Sequence, residues 1–246
     1  MTGRLRGHIG VVTGAGRGIG REVARALAAE GMHLALVARS GEQVRSLADE
    51  LTARHGTPVF PAATDVKDPA AIERLVAHVE QQLGPVDLLV NNAARTESVQ
   101  RRFWEVDPEE SWDVVETNLR GPFLLCAALL PAMVLRGHGR VVNVTSRSRA
   151  AAETGTYTAY AVSKRALSAF TELLSAPLTG TGVVVVDVLP GLVRTPMTDA
   201  MPVWDGVADD AWTPADATAR LVADIAAGRY DDRAGTVLDA GTLPPD

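Results

Sequence analysis

The first apolar run of the chain, Ile9 to Val12, passes directly into Thr13-Gly14-Ala15-Gly16-Arg17-Gly18-Ile19-Gly20. An amphipathic pattern from Arg21 to Glu30 follows, and Gly31 closes it as a C-cap. Few arrangements need a strand, a glycine-rich turn and a helix in that order. The glycines let the backbone approach a ligand closely, and the free N–H groups of the helix start meet negative charge. A glycine turn can also merely connect a strand to a helix. With the strand before it and the helix after it, the stretch reads as a site for the phosphates of a dinucleotide.

The alternation continues along the chain. Leu34 to Ala38 reads as a second strand, Glu42 to His55 as a helix, and Val59 to Ala62 as a third strand ending near Asp65-Val66. A helix from Pro69 to Leu83 is punctuated by Gly84-Pro85, and a strand from Val86 to Val90 delivers Asn91-Asn92-Ala93-Ala94. A helical pattern from Asp107 to Leu119 stops at Gly121-Pro122, and a second runs from Phe123 to Arg136. Val141 to Val144 and Val183 to Val188 are continuous apolar runs, as buried parallel strands require. Residues 198–212 have weak periodicity and read as a short mobile segment over the site. A helix from Ala215 to Ala227 leads to a seventh strand, Gly235 to Asp239. This pattern predicts an α/β fold: a parallel sheet of about seven strands with helices on both faces, ligands binding beyond the C-terminal strand ends. With no repeats and no low-complexity linker, residues 1–246 read as one domain.

Composition narrows the partners. A formal charge of −6 argues against nucleic acid or an anionic membrane. No apolar run is long enough to span a bilayer, and no signal pattern opens the chain. The single cysteine, Cys126, lies in an apolar helical stretch and fits a reducing compartment, so a cytoplasmic location is expected. The five histidines have no ligand spacing, so no metal site is expected.

Two positions carry the chemistry. Tyr160 and Lys164 are four apart in a helical pattern and so share a helix face. An ammonium beside a phenol favours the phenolate, which predicts a lowered tyrosine pKa and a proton donor usable near neutral pH. The second strand ends at Arg39-Ser40, where an acid would hold the ribose hydroxyls of NAD and a base suits the 2′-phosphate of NADP. Arg39, Ser40 and Arg17 form a plausible phosphate clamp, against the alternative of two solvated arginines.

At this point the chain resembles the classical short-chain dehydrogenase/reductase family over nearly its whole length. The matching motifs are Thr13-Gly14-x-x-x-Gly18-Ile19-Gly20, Asp65-Val66, Asn91-Asn92-Ala93, Asn118, Ser146, Tyr160-x-x-x-Lys164 and Pro190-Gly191-x-x-x-Thr195. The resemblance implies a Rossmann-like doubly wound sheet. It implies an oxidoreductase that moves a hydride between NADP(H) and a carbonyl or secondary alcohol, such as a ketone or 3-oxoacyl reductase, in a homodimer or homotetramer. Tyr160 would be the general acid or base, Lys164 would lower its pKa and bind the nicotinamide ribose, and Ser146 would hold the substrate oxygen. Asn118 would position a water linking Lys164 to solvent. Gly14, Gly16, Arg17, Gly18, Ile19 and Gly20 would cradle the phosphates, and Asp65 and Val66 would border the adenine. Asn91 and Ala93 would lie along the ribose, and Pro190, Gly191, Val193 and Thr195 would hold the carboxamide.

There are departures. Ala94 stands where the family has glycine, the Ser146–Tyr160 spacing of 14 leaves Ser148 as an alternative serine, and Asp239-Ala240-Gly241 lacks a double glycine. Tyr157 is no rival donor, because Ala161 follows four residues on. Arg95, Arg101, Arg102, Arg147 and Arg149 would favour an anionic substrate if they faced the pocket. The alternative pairs them with surface acids such as Glu97, Glu105 or Glu153. Two rival functions stay open: an NAD-dependent alcohol dehydrogenase, and a dinucleotide-binding sensor without turnover.

Overall fold

The structure, a computed structural model, describes residues 3–147 and 153–242. The first half is β1 (Ile9–Thr13), α1 (Gly18–Ala29), β2 (His33–Ala38), α2 (Gly41–His55), β3 (Val59–Ala63), α3 (Pro69–Gln82) and β4 (Leu88–Asn91). The second is α4 (Pro108–Val115), a π-helical turn (Glu116–Arg120), α5 (Gly121–Arg136), β5 (Gly139–Val144), α6 (Thr158–Leu178), β6 (Val183–Leu189), α7 (Ala215–Ala226) and β7 (Val237–Asp239). Among the described residues these strands form one parallel sheet in the order β3-β2-β1-β4-β5-β6-β7. The order reverses between β1 and β4, which opens a crevice at their C-terminal ends.

Alternation along each buried strand feeds two cores. Val12, Val142, Val144, Val186 and Val188 pack with α1, α2 and α7 on one face, and Val11, Leu89, Val141, Val183 and Val185 with α3 and α5 on the other. Valine fits both faces because its branched side chain packs well on a pleated surface. Asp68 accepts from Ala70 N–H at 2.9 Å and Ala71 N–H at 3.2 Å, and so starts α3. Gly56 ends α2 in the left-handed region.

The helix expected to stop at Gly121-Pro122 continues. The π turn absorbs one extra residue, with Gly121 N–H reaching the Glu116 carbonyl, so Pro122 falls in the first turn of α5 where its missing N–H is tolerated. The composite helix, Pro108–Arg136, holds a window that is apolar and long enough to cross a membrane, contrary to the expectation of no such run, because the helix continues through Pro122. Here its elements pack against α3, α6 and β5. The segment 198–212, read from sequence as a short mobile segment over the site, contains two 3-10 turns, Pro202–Trp204 and Asp209–Ala211.

Candidate active site

The crevice at the β1/β4 switch is a long cleft. Its floor begins with the glycine turn. Thr13, at the end of β1, donates to the Val90 carbonyl at 3.1 Å and accepts from Asn92 and Ala93 N–H, each at 3.0 Å. Asn92 returns its amide to the carbonyls of Thr13 and Gly14 at 2.9 and 3.3 Å. The turn is thus stitched to the end of β4, and Asn92, part of the Asn91-Asn92-Ala93 motif but given no role from sequence, is the stitch. Gly14 and Gly18 have φ of +64° and +55°, the region that favours glycine. A Cβ on Gly14 would come within 2.9 Å of the Ala93 backbone, and one on Gly18 within 3.2 Å of Thr195 Cγ2. The backbone is bare because neighbours leave no room, and a phosphate can approach it closely.

One end of the cleft is cationic. Arg17, Arg39, Ser40 and Gln43 line it, with Asp65 and Val66 on its border. Among the described residues no carboxylate pairs with Arg17 or Arg39, while Arg4, Arg21, Arg25, Arg95, Arg140 and Arg147 are all in ion pairs. Two exposed guanidiniums without a counter-charge beside a bare glycine turn fit a phosphate monoester. Ser40 also accepts from Gln43 N–H at 3.4 Å and caps α2.

At the other end Tyr160 and Lys164 line the cleft from α6. Ser146, just past β5, hydrogen-bonds the Tyr160 hydroxyl. Ser148 and Arg149 lie outside the described residues. Lys164 is 2 % exposed and donates from Nζ to the Val144 carbonyl at 2.7 Å. Burial holds its pKa down to about 8, against an opposing pull from Asp187. The expectation of a lowered tyrosine pKa does not hold in this state. Burial raises Tyr160 and its bond with Ser146 pulls the other way, while the ammonium is committed to a carbonyl.

The start of α6 is built unusually. Tyr157, its N-cap, is the one non-glycine residue with positive φ among the described residues, at 54°. It supplies no capping bond. Glu97, from the loop after β4, does so instead. Its carboxylate accepts from Ala159 N–H at 2.7 Å and Tyr160 N–H at 3.4 Å. A charge at a helix N-terminus satisfies orphan donors and the dipole together, with caps worth about 1 kcal/mol. Glu97 is 3 % exposed, so it is not a surface partner for the arginines. Sequence gives no signal for this role, because the cap comes from 62 residues away.

Asn118 sits in the π turn, fully buried. Its amide accepts from Arg95 N–H at 2.9 Å and donates to the Arg95 carbonyl at 2.9 Å and to Ser163 Oγ at 3.0 Å. Ser163 in turn donates to the Tyr160 carbonyl at 2.8 Å. The side chain therefore clamps the loop after β4 to α6. Both of its N–H donors are committed, so the side chain has none left to donate to a water on the path from Lys164.

Ile19, Ala93, Pro190 and Thr195 also line the cleft, as does Ala94. Gly20, Asn91 and Val193 are buried and do not line it, and Gly191 is exposed outside its lining; the lining also omits Ser146 and Asn118. Asn91, placed along the ribose by the family resemblance, points into the sheet and donates to Asn143 Oδ1 at 2.8 Å. It follows Leu89 by two residues and shares that residue's face. Three of the arginines that would favour an anionic substrate if they faced the pocket turn elsewhere, toward other partners. Arg95 pairs with Asp113, Arg147 with Asp239, and Arg102 lies 5.5 Å from the Trp104 ring centroid. An apolar cluster flanks Tyr160 instead: Tyr157, Met197, Met201, Val203 and Trp204.

Comparisons with known proteins agree with this geometry. Residues 8–205 match the family model for short chain dehydrogenases. A putative ketoacyl reductase of Streptomyces coelicolor is 37% identical over 237 residues, 91% of this chain and 84% of that protein. A short chain dehydrogenase of Pseudocercospora fijiensis is 39% identical over 213 residues, 85% of this chain but only 64% of that protein. A crystal structure of an actinorhodin polyketide ketoreductase variant with NADPH superposes with a TM-score of 0.83 at 32% identity, covering 96% of this chain and 98% of that one. With its seven-stranded sheet, its glycine turn and Tyr160 and Lys164 in one cleft, the chain belongs to the short-chain dehydrogenase/reductase family of oxidoreductases.

Proposed function

We propose that this protein reduces a ketone or 3-oxoacyl-type carbonyl with NADPH as the hydride source. One observation carries the reading: a single cleft joins two arginines without carboxylate partners among the described residues and a bare glycine turn at one end to Tyr160 and Lys164 at the other, with Ser146 bonded to Tyr160. When bound, the nicotinamide supplies the hydride. The chain supplies the rest. Gly14, Gly16 and Gly18 admit the phosphates, Arg17 and Arg39 bind the 2′-phosphate, and Pro190 and Thr195 flank the nicotinamide end. Ser146 holds the substrate oxygen and Tyr160 delivers its hydroxyl proton to that oxygen, with Lys164 fixing the ribose beside it. The apolar cluster around Tyr160, and a cleft lining that among the described residues includes none of Arg95, Arg101, Arg102 and Arg147, favour an uncharged substrate with apolar groups beside its carbonyl. Several relatives are named for the reduction of a carbonyl, among them the putative ketoacyl reductase and the polyketide ketoreductase, which supports the same direction. A buried single thiol, Cys126, fits action in the reducing cytoplasm.

The cofactor assignment is tested by titrating the protein with NADPH and with NADH, followed by tryptophan fluorescence. Charge-assisted bonds to a phosphate are worth about 1.5–3 kcal/mol, so NADPH should bind about tenfold to a hundredfold tighter. Arg39→Asp should erase or invert that preference. Tighter NADH binding to the unaltered protein would make these arginines surface charges and put the NAD-dependent alcohol dehydrogenase ahead. Binding of neither would favour a chain without turnover.

We also infer a homo-oligomer. Trp112 is 63 % exposed on α4, Leu135 88 % on α5 and Leu173 74 % on α6, with Phe123 and Val162 exposed on the same helices. Trp112 and Phe123 line one shallow groove, and large apolar side chains left in water on α4, α5 and α6 suit an association surface. Light scattering should give a dimer or tetramer mass at micromolar concentration, with Leu173→Glu shifting it toward monomer. A monomeric mass for the unaltered chain sinks the inference.

A further inference from the structure

A row of buried polar side chains runs under the catalytic helix, unused by the reaction as described so far. The register aligns Asn91 on β4, Asn143 on β5 and Asp187 on β6, so all three project from the same face of the sheet. Asn91 donates to Asn143 at 2.8 Å, and Asn143 donates to Thr171 Oγ1 at 2.8 Å. Thr171 donates its hydroxyl to Asp187 Oδ1. The row therefore ends on a carboxyl that is completely buried in the middle of a valine strand.

A carboxylate in that position needs more than one hydroxyl. Asp187 Oδ2 makes no hydrogen bond among the described residues. Burial pushes the Asp187 carboxyl up from its ordinary pKa, and the Ser168 and Thr171 hydroxyls and the Lys164 charge pull it back toward the charged form. An isolated buried charge is costly, and an opposite charge is the usual remedy. Lys164, Ser168 and Thr171 are spaced i, i+4 and i+7 on α6, one stripe of the helix, and that stripe faces Asp187. Lys164 has the complementary need. Its ammonium is buried with one carbonyl as its hydrogen-bond partner, and the charge that opposes its neutralisation is Asp187. The other titratable groups facing this row are Tyr160 on α6 and Cys126 on α5, whose thiol touches Asn91 and is pushed up to about 12 by burial. Neither supplies a charge of either sign near neutral pH.

We propose that Asp187 is a positioning residue for the site: anchored through Thr171 to the Asn91–Asn143 row, its carboxylate keeps the buried Lys164 side chain in the ammonium form. The charge that holds the ribose and sits beside the Tyr160 phenol is then set from behind the sheet rather than from the cleft. A carboxylate within a valine run is otherwise out of place, and this role accounts for it. The proposal rests on the reading of Lys164 as part of the active site only for its catalytic consequence, since the charge coupling can be measured without any substrate.

The chain contains only two lysines, Lys67 and Lys164. Carbon-13 labelling at lysine Cε therefore gives two signals, and a pH titration by NMR follows each. Lys67, paired with Asp113 near the surface, serves as the internal reference. In the unaltered protein the buried lysine should titrate near 8. In Asp187→Asn, which keeps the shape and loses the charge, its midpoint should fall by about one unit or more while that of Lys67 stays put. If Asp187→Asn does not fold, Ser168→Ala decides, with a smaller shift in the same direction. An unchanged Lys164 midpoint in the folded variant overturns the proposal. A merely structural role for Asp187 would lower stability without moving that midpoint. Failure of the reductase reading would instead show as absent turnover with the NMR shift intact.

Discussion

Tyr160→Phe should lower kcat/KM for carbonyl reduction by more than a hundredfold, a loss of about 3 kcal/mol or more of transition-state stabilisation. The ring still fills its place against Tyr157 and Met201, so the variant should fold and bind NADPH as before. What disappears is the one hydroxyl that lines the cleft, is bonded to Ser146, and stands one helical turn from Lys164. General acid catalysis by a placed side chain contributes about 10²–10⁴-fold, and the remaining acceleration from binding and orientation should survive as a low rate. Tyr157→Phe is the control. Its hydroxyl is raised by burial and by the Glu97 carboxylate, and Ala161 rather than a lysine follows it by one turn. It should keep activity within about threefold, because no proton donation at neutral pH is asked of it. A Tyr160→Phe enzyme with near-normal turnover would return the proton-donor role to another group. The pH profile adds a second check. With the phenol raised by burial, the acid form persists across neutral pH, so reduction should stay flat there and fall only on the alkaline side.

The sheet was legible because its signal is local. Valine runs, the glycine turn and the alternation of strands with helices point to a parallel sheet with helices on both faces, though not to its strand order. Tyr160, Lys164 and Arg39 were legible for the same reason, since helix spacing and a strand end place them without tertiary knowledge. What sequence could not show is side-chain direction and partners across the fold. Glu97 reads as a surface acid until β4 and α6 are brought together, where it becomes the cap of α6. The lowered pKa expected of Tyr160 assumed that the lysine faces the phenol in water, whereas burial and the Val144 carbonyl decide the outcome. Gly121-Pro122 reads as a stop because the usual ladder loses a donor there, and the π turn before it cannot be read from composition. Asp187 did carry a signal: a lone carboxylate in a run of valines calls for a partner.

The glycines make the sharpest stability test, because only the structure separates those that cannot change from those that can. Gly20→Ala should cost about 2–3 kcal/mol and lower the melting temperature by about 5–10 °C. A Cβ there would lie 2.4 Å from Asn92 Nδ2 and 2.4 Å from the Gly14 carbonyl oxygen. Neither can retreat. The carbonyl belongs to the strained turn, and the amide is bonded to both Thr13 and Gly14. Either α1 shifts off β1, or Asn92 lets go of the turn and leaves buried carbonyls unpaired. Alanine's better helix propensity, about 1 kcal/mol, works against this loss and is already included in the net figure. NADPH affinity should fall by at least about tenfold, because the turn and the start of α1 form one phosphate surface. Gly16→Ala is the contrasting case. There the Cβ meets the flexible end of Gln43, 2.6 Å from Oε1, and that side chain can swing away. Its stability should stay within about 1 kcal/mol of the parent. Equal melting temperatures for the two variants would mean that the turn and α1 are not locked together through Asn92. The cofactor end of the cleft would then be softer than its packing indicates.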